Sequence, residues 1–290
     1  MVALVLIVNS RHSVMAARHN SAGQELFAVE SVVLRLLEEA DVPAQEGGVL
    51  TSIAVREGQR VKKGELLAQI EDQVARLAAQ AAQTQYEIAR ANAANDVRVR
   101  FAKKALEVSE AELRRSTESI ERFPNSVSQS QIDVERLTVQ KNQLEAEQAE
   151  HERLVASLEM KSTQNDLAAA QEQVARRRIV APFDGVLVQI YVRRGEWIEP
   201  GEAALRIINV DRLKAEGFVA AARAGSNLVG KSVALAVNRA AAESTFAGTI
   251  VFVSPEVDPI TGQVRVWAEI DNHEGRLRPG EPARMSIQSE

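Results

Sequence analysis

The chain has 290 residues, of which 45% are hydrophobic and 4% aromatic, and a formal net charge of −5. Its basic residues form no block and do not alternate with aromatic ones, so the composition argues against a nucleic-acid-binding protein. Cysteine is absent, which excludes disulfides, thiol catalysis and a lipid-modified N-terminal cysteine but leaves the compartment open.

Residues 1–31 form an N-terminal segment with one apolar run of seven residues, 2–8. A membrane span needs about 20 such residues. The run is interpreted as the core of a signal sequence, as the remnant of a membrane anchor, or as an ordinary short strand. Residues 31–42, SVVLRLLEEADV, are predicted to form a strand that leads into the next unit, with a helix as the alternative.

The next unit, residues 32–72, contains a sequence that returns later, in residues 179–210. The first copy reads AQEGGVLTSIAVREGQRVKKGELLAQI from residue 44, the second reads APFDGVLVQIYVRRGEWIEPGEAALRI from residue 181, and 11 of 27 positions are identical. Each copy has a β-branched run and two glycines of the kind that tight turns use. About 30 residues bury too little surface to fold alone, so the copies are predicted to pack together as halves of one lipoyl-like β domain.

Residues 73–178, between the copies, contain no glycine and one proline, Pro124. Ala, Gln, Glu, Arg and Leu dominate, as they do in long helices. Pro124 and its polar neighbours predict a turn near 123–128, after which Ser128 is expected to cap a helix with Gln131 as capping-box partner. Two arms of about 50 residues, each about 75 Å long, would form a hairpin whose ends return to the two copies.

The second arm carries a heptad pattern, which predicts the seam of a two-stranded coiled coil with the first arm. His151 is interpreted as a packed or partly exposed residue of that seam, because no second His or Cys lies at metal-ligand spacing. The pattern consists of Leu137, Leu144, His151, Leu158 and Asn165, with Val134, Val155 and Ala169 near the intervening positions.

Residues 211–290 contain further β-like segments separated by Gly, Pro, Asn or Asp, which predicts a small β-barrel or sandwich. A short alanine-rich stretch, 220–228, is expected to form one or two helical turns. The predicted strands are 213–219, 232–237, 246–253, 264–270 and 283–287. The predicted fold class is therefore α+β, mostly β, with a long helical hairpin inserted in a split lipoyl-like domain that is followed by a β-barrel.

No catalytic pattern is found in the sequence. Asp184, Asp211, Asp258 and Asp271 lie beside turn residues, where aspartate serves turns and caps, and none has a partner at a telling spacing. No Walker loop, dinucleotide glycine pattern or Ser-His-Asp order occurs. The chain is predicted not to be an enzyme and to need no cofactor or metal.

Several motifs resemble those of one known family, the periplasmic adaptors, also called membrane fusion proteins or HlyD-like proteins. The resemblance covers residues 42–288, and the APFDG and LRPG segments are fairly specific in combination. Its motifs are GVL at 48–50, VREGQRVKKGELL at 55–67, IVAPFDGV at 179–186, SPEVD at 254–258 and NHEGRLRPG at 272–280.

The resemblance implies a function in the envelope of a Gram-negative bacterium, in the periplasm and associated with the inner membrane. Such adaptors bridge an inner-membrane transporter to an outer-membrane channel in efflux or secretion and assemble as homo-oligomeric rings. A transporter of the resistance-nodulation-division (RND) class is favoured over an ATP-driven (ABC) one. The family's docking surface is the hairpin tip, which implies Arg115, Ile120 and Ser128 as partner-binding residues here.

The chain departs from the family pattern in three ways. The spacing from Arg115 and Ile120 to Ser128 needs about two extra residues, which puts docking on such a channel in doubt. Residues 261–263 read TGQ where many members have a threonine-arginine-threonine turn. The membrane-proximal domain, which uses residues after the barrel, is expected to be absent.

Two other classes of function stay open. A lipoyl- or biotin-carrier protein would carry its modified lysine on the hairpin between the two halves, where this chain has the helical insertion, and Lys62 and Lys63 lie in a different turn. A structural coiled-coil tether of the envelope would bind partners without taking part in transport.

Overall fold

The computed structural model describes residues 25–124, 126–224, 228–239 and 242–289. Within these ranges the chain forms a six-stranded barrel, a pair of four-stranded sheets and a helical hairpin, which confirms the predicted fold class. The N-terminal apolar run lies outside the described residues. The elements are β1 (Glu25–Leu36), β2 (Glu39–Pro43), β3 (Gly48–Ile53), β4 (Arg60–Val61), β5 (Leu66–Ile70), α1 (Gln73–Ala94), α2 (Val97–Arg122), α3 (Gln129–Arg176), β6 (Arg178–Val180), β7 (Gly185–Ile190), β8 (Trp197–Ile198), β9 (Ala203–Ile208), β10 (Arg212–Ala220), β11 (Ser232–Arg239), β12 (Ala242–Val257), β13 (Gln263–Asp271) and β14 (Pro282–Ser289).

The barrel is closed in the order β1-β10-β13-β12-β11-β14. Its strands alternate buried and exposed side chains, as in the pattern of β13, because successive residues of a strand point to opposite faces. One 3₁₀ turn, Ala221–Arg223, follows β10 where a helical turn was predicted. The fully buried large side chains of the barrel core include Leu34, Leu213, Leu235, Ile250, Ile270, Met285 and Ile287.

Strand β1 corrects one predicted boundary. The segment 32–36 is a strand, as predicted, but it belongs to the barrel, where β1 pairs with β10 and β14. Its assignment to the first half of the lipoyl-like domain is wrong. Val32 and Leu34 are buried in the barrel core, whereas Val33 between them faces out. The strand therefore buries its apolar face in a sheet whose other strands all come after residue 211.

The two repeated sequences form a barrel-sandwich of two sheets, β2-β9-β7-β4 and β6-β5-β3-β8. Each sheet takes strands from both copies, so each copy completes the sheets of the other. Their shared core contains Leu50 of the first copy and the equivalent Leu187 of the second, both fully buried. The predicted pairing of the copies is confirmed.

The glycine turns connect one copy to the other. Gly58 and Gly195 occupy equivalent positions and both have positive φ, 83° and 87°, a conformation that glycine adopts without strain. The Gly58 N–H donates to the Leu187 carbonyl and the Gly195 N–H donates to the Leu50 carbonyl, each at 2.8 Å. The identical spacing in the sequence thus reflects two equivalent hydrogen bonds across the domain.

The first arm of the hairpin consists of two helices, α1 and α2, and not of the single helix predicted. The helix breaks at Asn95, which has extended backbone and whose Oδ1 accepts a hydrogen bond from Val97 N at 3.2 Å. Asparagine favours such local bonds to the backbone over helix. The break also shifts the buried face by one residue. Ala75 and Ala89 are buried and fourteen residues apart, so an unbroken helix with the same repeat would next bury residue 103, but at this point the buried residue is Ala102.

The second arm, α3, is one helix of 48 residues. Its predicted seam is wrong, because Leu137, Leu144 and Leu158 are 64%, 65% and 55% exposed. In its middle part, α3 instead packs on the first arm through Ala146 and Ala149, and alanines allow close approach of the two helices. The buried residues of α3 are Ile132, Ala146, Ala149 and Leu167. Among the described residues, no helix has the length and apolar character needed to span a membrane.

Candidate partner-binding site at the hairpin tip

The tip is the turn between α2 and α3. Ser128 caps α3, as predicted, by accepting a hydrogen bond from Gln131 N at 3.3 Å. The predicted reciprocal capping box is wrong: the structure gives no return bond from Ser128 N–H to the Gln131 side chain, whose Nε2 donates to Glu135 Oε1 at 3.3 Å. Ser119 and Ser126 hydroxyls lie 3.1 Å apart across the turn. These short polar contacts hold the turn.

The three predicted partner-binding residues have different surroundings. Ser128 is exposed at the tip itself. Arg115 is exposed on α2, seven residues before the helix ends, about 10 Å down the arm, and its Nε donates to Ala111 O. Ile120 is half-buried. It lies three steps of seven residues after the buried Val99 on the same helix, so it faces into the hairpin. The structure therefore leaves Ser128 and Arg115 accessible and gives Ile120 a packing role.

Phe123 is a tip residue that the sequence analysis missed. It follows α2 directly, its N–H donates to Ser119 O, and its side chain is 69% exposed. An aromatic residue within the polar segment around Pro124 was the available signal, since large exposed aromatic side chains are enriched among binding residues.

The sequence-predicted aspartates serve structural roles. Asp258 Oδ1 accepts from Ile260 N and Thr261 N, bonds that lower its pKa, and Asp184 Oδ1 accepts from Lys63 N. Asp271 caps the turn that follows β13. Across the described ranges, no three His, Cys, Asp or Glu side chains form a group that could hold a metal ion.

Asp211 has a further role at the junction between the sandwich and the barrel. Arg60 donates two hydrogen bonds of 2.9 Å to its carboxylate, joining strand β4 to the start of β10. The hydrogen bond from Arg60 holds the pKa of Asp211 below its ordinary value of 3.8. This pair therefore ties the barrel to the sandwich by a charge-assisted contact.

Replacing Asp211 with Asn is expected to lower the melting temperature by about 1–4 °C at pH 7, because a partly exposed ion pair contributes about 0.5–1 kcal/mol. A carboxyl group whose pKa is lowered by folding stabilises the protein above its unfolded pKa, and that contribution is lost as the pH falls through the folded pKa. Melting followed by circular dichroism from pH 7 into acid should show the difference from the wild type shrinking. Asp133→Asn, which removes an exposed ion pair with Arg136 on α3, is the matched control. A difference that persists unchanged in acid would contradict this role.

Comparison with known proteins agrees with this architecture. Residues 38–210 match the family model described as RND MFP, barrel-sandwich hybrid domain, where MFP stands for membrane fusion protein. Residues 217–290 match the model described as CusB-like, beta-barrel domain.

Individual relatives are more distant. The multidrug resistance protein MdtA of Escherichia coli is 25% identical over 92% of this chain and 62% of its own length. An uncharacterised protein of Haemophilus influenzae is 25% identical over 88% of this chain and 56% of its own length. The chain thus spans about 60% of the length of these curated relatives. The crystal structure of MacA from Actinobacillus actinomycetemcomitans shares the fold, with a TM-score of 0.56, 18% identity, and coverage of 91% of this chain and 78% of that chain.

Proposed function

The chain belongs to the family of RND membrane fusion proteins, and from this premise we propose that it is a periplasmic adaptor of an efflux or secretion system. In this role it bridges an inner-membrane transporter to an outer-membrane channel in the envelope of a Gram-negative bacterium and catalyses no reaction. The observation that carries the proposal is the arrangement of the three parts. The hairpin continues from β5 and returns to β6, in one sheet of the sandwich, whereas the barrel is joined to β2 and β9 in the other.

This arrangement suits a bridging protein. The sandwich is a hub with a long rod leaving one sheet and a compact barrel attached to the other. Helix α3 has 48 residues and is about 70 Å long at 1.5 Å per residue. A rod of that length spans a gap between two partners without any chemistry of its own.

The transporter partner is proposed to be of the RND class, since the description of the model that matches the sandwich names that class. Several copies are proposed to form a ring whose lumen conducts the substrate, with the hairpin tips at the outer-membrane channel. Ser128, Arg115 and Phe123 are the accessible tip residues that would meet the channel, and Ile120 would support them from inside the hairpin.

Cross-linking in intact cells tests this proposal. A photoreactive amino acid in place of Ser128 is expected to capture an outer-membrane channel, identified by mass spectrometry. The same amino acid in place of the exposed Gln45, at the far end of the rod in the sandwich, should not capture it. Capture of other copies alone from position 128, or of nothing from the outer membrane, would contradict bridging and favour a structural tether.

A further inference from the structure

The first arm of the hairpin contains two stretches of one heptad pattern, separated by the break at Asn95. Its buried or half-buried positions alternate by four and three residues from Ala75 to Asp96, and again by three and four from Val99 to Ile120. Between Asp96 and Val99 the step is three residues, where the alternation requires four. The break therefore omits one residue of an otherwise continuous repeat. The positions are 75, 79, 82, 86, 89, 93, 96, 99, 102, 106, 109, 113, 116 and 120.

The second arm follows the same repeat without an omission. Position 153 belongs to this repeat, but Arg153 is exposed. Arg98 forms an ion pair with Glu152, so Arg153 lies at the level of the break. At this level the repeat places Asp96 on one arm and Arg153 on the other, and neither supplies an apolar side chain. The buried or half-buried positions of α3 in the repeat are 132, 135, 139, 142, 146, 149, 156, 160, 163, 167, 170 and 174.

The extended backbone of Asn95 compensates for the missing residue. Asn95 has φ −78° and ψ 105°, and one extended residue advances about 3.3 Å, roughly as far as two helical residues at 1.5 Å each. The segment from Ala89 to Ala102 is therefore about 21 Å long, the length of two heptads of helix. The two arms thus stay in phase and at equal height on both sides of the break.

Packing between the arms is loose at the same level. An open cavity of about 550 Å³ lies there, lined by Asn92, Asn95, Val99, Ala149 and Ala156 among others. The alanines of α3 are too small to fill the space beside the break, so few dispersion contacts join the arms at this point.

The charged contacts beside the break are also weak. Arg98 pairs with Glu152, and Lys103 pairs with Glu150 at 2.6 Å, but all four side chains are between 39% and 70% exposed. Exposed ion pairs contribute about 0–1 kcal/mol each. The contacts that would have to rearrange for the arms to bend here therefore cost little.

We infer that the hairpin bends at this level, with Asn95 and Asp96 as its hinge. Hinges are a few residues at the ends of elements that absorb changes in φ and ψ. Helix α3 is continuous, and long helices curve gently without breaking, so rotation at Asn95 supplies the change in length that the first arm needs. The tip half, α2 with the part of α3 before Arg153, then tilts against the base half while the packed seam of each half stays intact. Such a tilt changes the angle of the tip without changing its surface.

Spin labels on the purified chain test the hinge, because the sequence contains no cysteine and introduced pairs carry all the label. Thr84 and Lys104 are exposed and lie two residues from the seam positions 86 and 102, about 200° around the helix, so both face away from α3. Thr84→Cys with Lys104→Cys spans the break over about 30 Å. Pulsed electron paramagnetic resonance should give a distance distribution about twice as wide as that of Lys104→Cys with Glu118→Cys within α2.

A straightened variant is the matched control. Asn95→Ala with one alanine inserted after it restores the four-residue step, so a single helix can keep both seams in phase at the same length. Its distribution across residues 84 and 104 should become as narrow as that of the pair within α2. The first amides of α2, which lack helical partners at a helix start, should also exchange more slowly with solvent.

Two further variants separate bending from folding. Asn95→Ala without the insertion would place Lys103 in the seam instead of Ala102 and should lower the melting temperature. Asn95→Gly changes no seam position and should widen the distribution across the break. An equal width for the two label pairs in the otherwise unchanged chain would overturn the hinge, as would an unchanged width in the straightened variant or in Asn95→Gly. No partner is needed for these measurements, so failure of channel capture at position 128 would leave their result standing.

Discussion

Leu50→Ala and Leu187→Ala are each expected to lower the free energy of unfolding of the sandwich by about 2–5 kcal/mol, the usual cost of a leucine-to-alanine cavity. Both side chains are fully buried, and they occupy equivalent positions in the two copies. Their backbones are also equivalent, since Leu50 N donates to Glu196 O and Leu187 N donates to Gln59 O. Urea denaturation combined with peptide-resolved hydrogen exchange in β3 and β7 measures the loss. The two variants should lose similar amounts of free energy.

Val49→Ala and Val188→Ala are matched controls for these variants. Each side chain lies beside the core on β3 or β7 but is 39% exposed, so each substitution should cost less than about 1 kcal/mol. The double variant Leu50→Ala with Leu187→Ala should not be additive, because both leucines line one core and can share one relaxed cavity. If only one of the two leucines mattered, the copies would not contribute equally to a shared core.

The sequence predicts the sandwich well because the turns depend on neighbouring residues and the same turn residues occur twice at a constant spacing. Gly58 and Gly195 reveal turns by their chemistry, and the repetition of that chemistry at a constant offset reveals that the two turns belong to one symmetric unit. The predicted N-cap of α3 at Ser128 is correct for the same reason, since a cap depends on residues within one turn of the helix.

The errors concern the choice of a distant partner. Strand β1 has the same alternating pattern whichever sheet it joins, so Val32 and Leu34 predict a strand but do not predict the barrel. The heptad pattern of α3 is real, but a second pattern shifted by two residues exists on the same helix. Leu144 and Ala146 are both suited to a seam, and the larger leucine suggested the wrong face. Ala146 and Ala149 pack between the arms, whereas Leu137, Leu144 and Leu158 face outward.

The candidate site shows the same difference between features set by neighbouring residues and features set by distant packing partners. Ser128 is placed by local capping. The inward orientation of Ile120 depends on which face of α2 packs on α3, and the unexpected break at Asn95 sets that face by changing the phase of α2 relative to α1. The exposure of Phe123 depends on where α2 ends and on the direction in which the chain continues from the end of that helix into the turn. Local sequence fixes the existence of the tip, and packing of the two arms decides which of its side chains a partner can reach.

Phe123→Asp is expected to have the largest effect on the proposed function, reducing capture of the outer-membrane channel at the tip by about 30-fold or more and abolishing export. Removal of a central aromatic contact commonly costs at least 2 kcal/mol of binding free energy, which corresponds to about 30-fold in affinity, and a carboxylate there must also lose its hydration. Folding should be unchanged, because the side chain is 69% exposed. The yield of cross-linking from position 128 measures the effect.

The control for this variant is Thr117→Ala on the same helix, where the hydroxyl donates only to Leu113 O of its own helix and its loss should leave capture unchanged. Hydrogen exchange of α2 and α3 distinguishes a lost contact from a melted tip: protection equal to that of the wild type places the effect of Phe123→Asp at the surface. If capture and export persist with Phe123→Asp, the channel does not bind over this aromatic side chain, and docking must depend on Ser128 and Arg115 along the side of the tip.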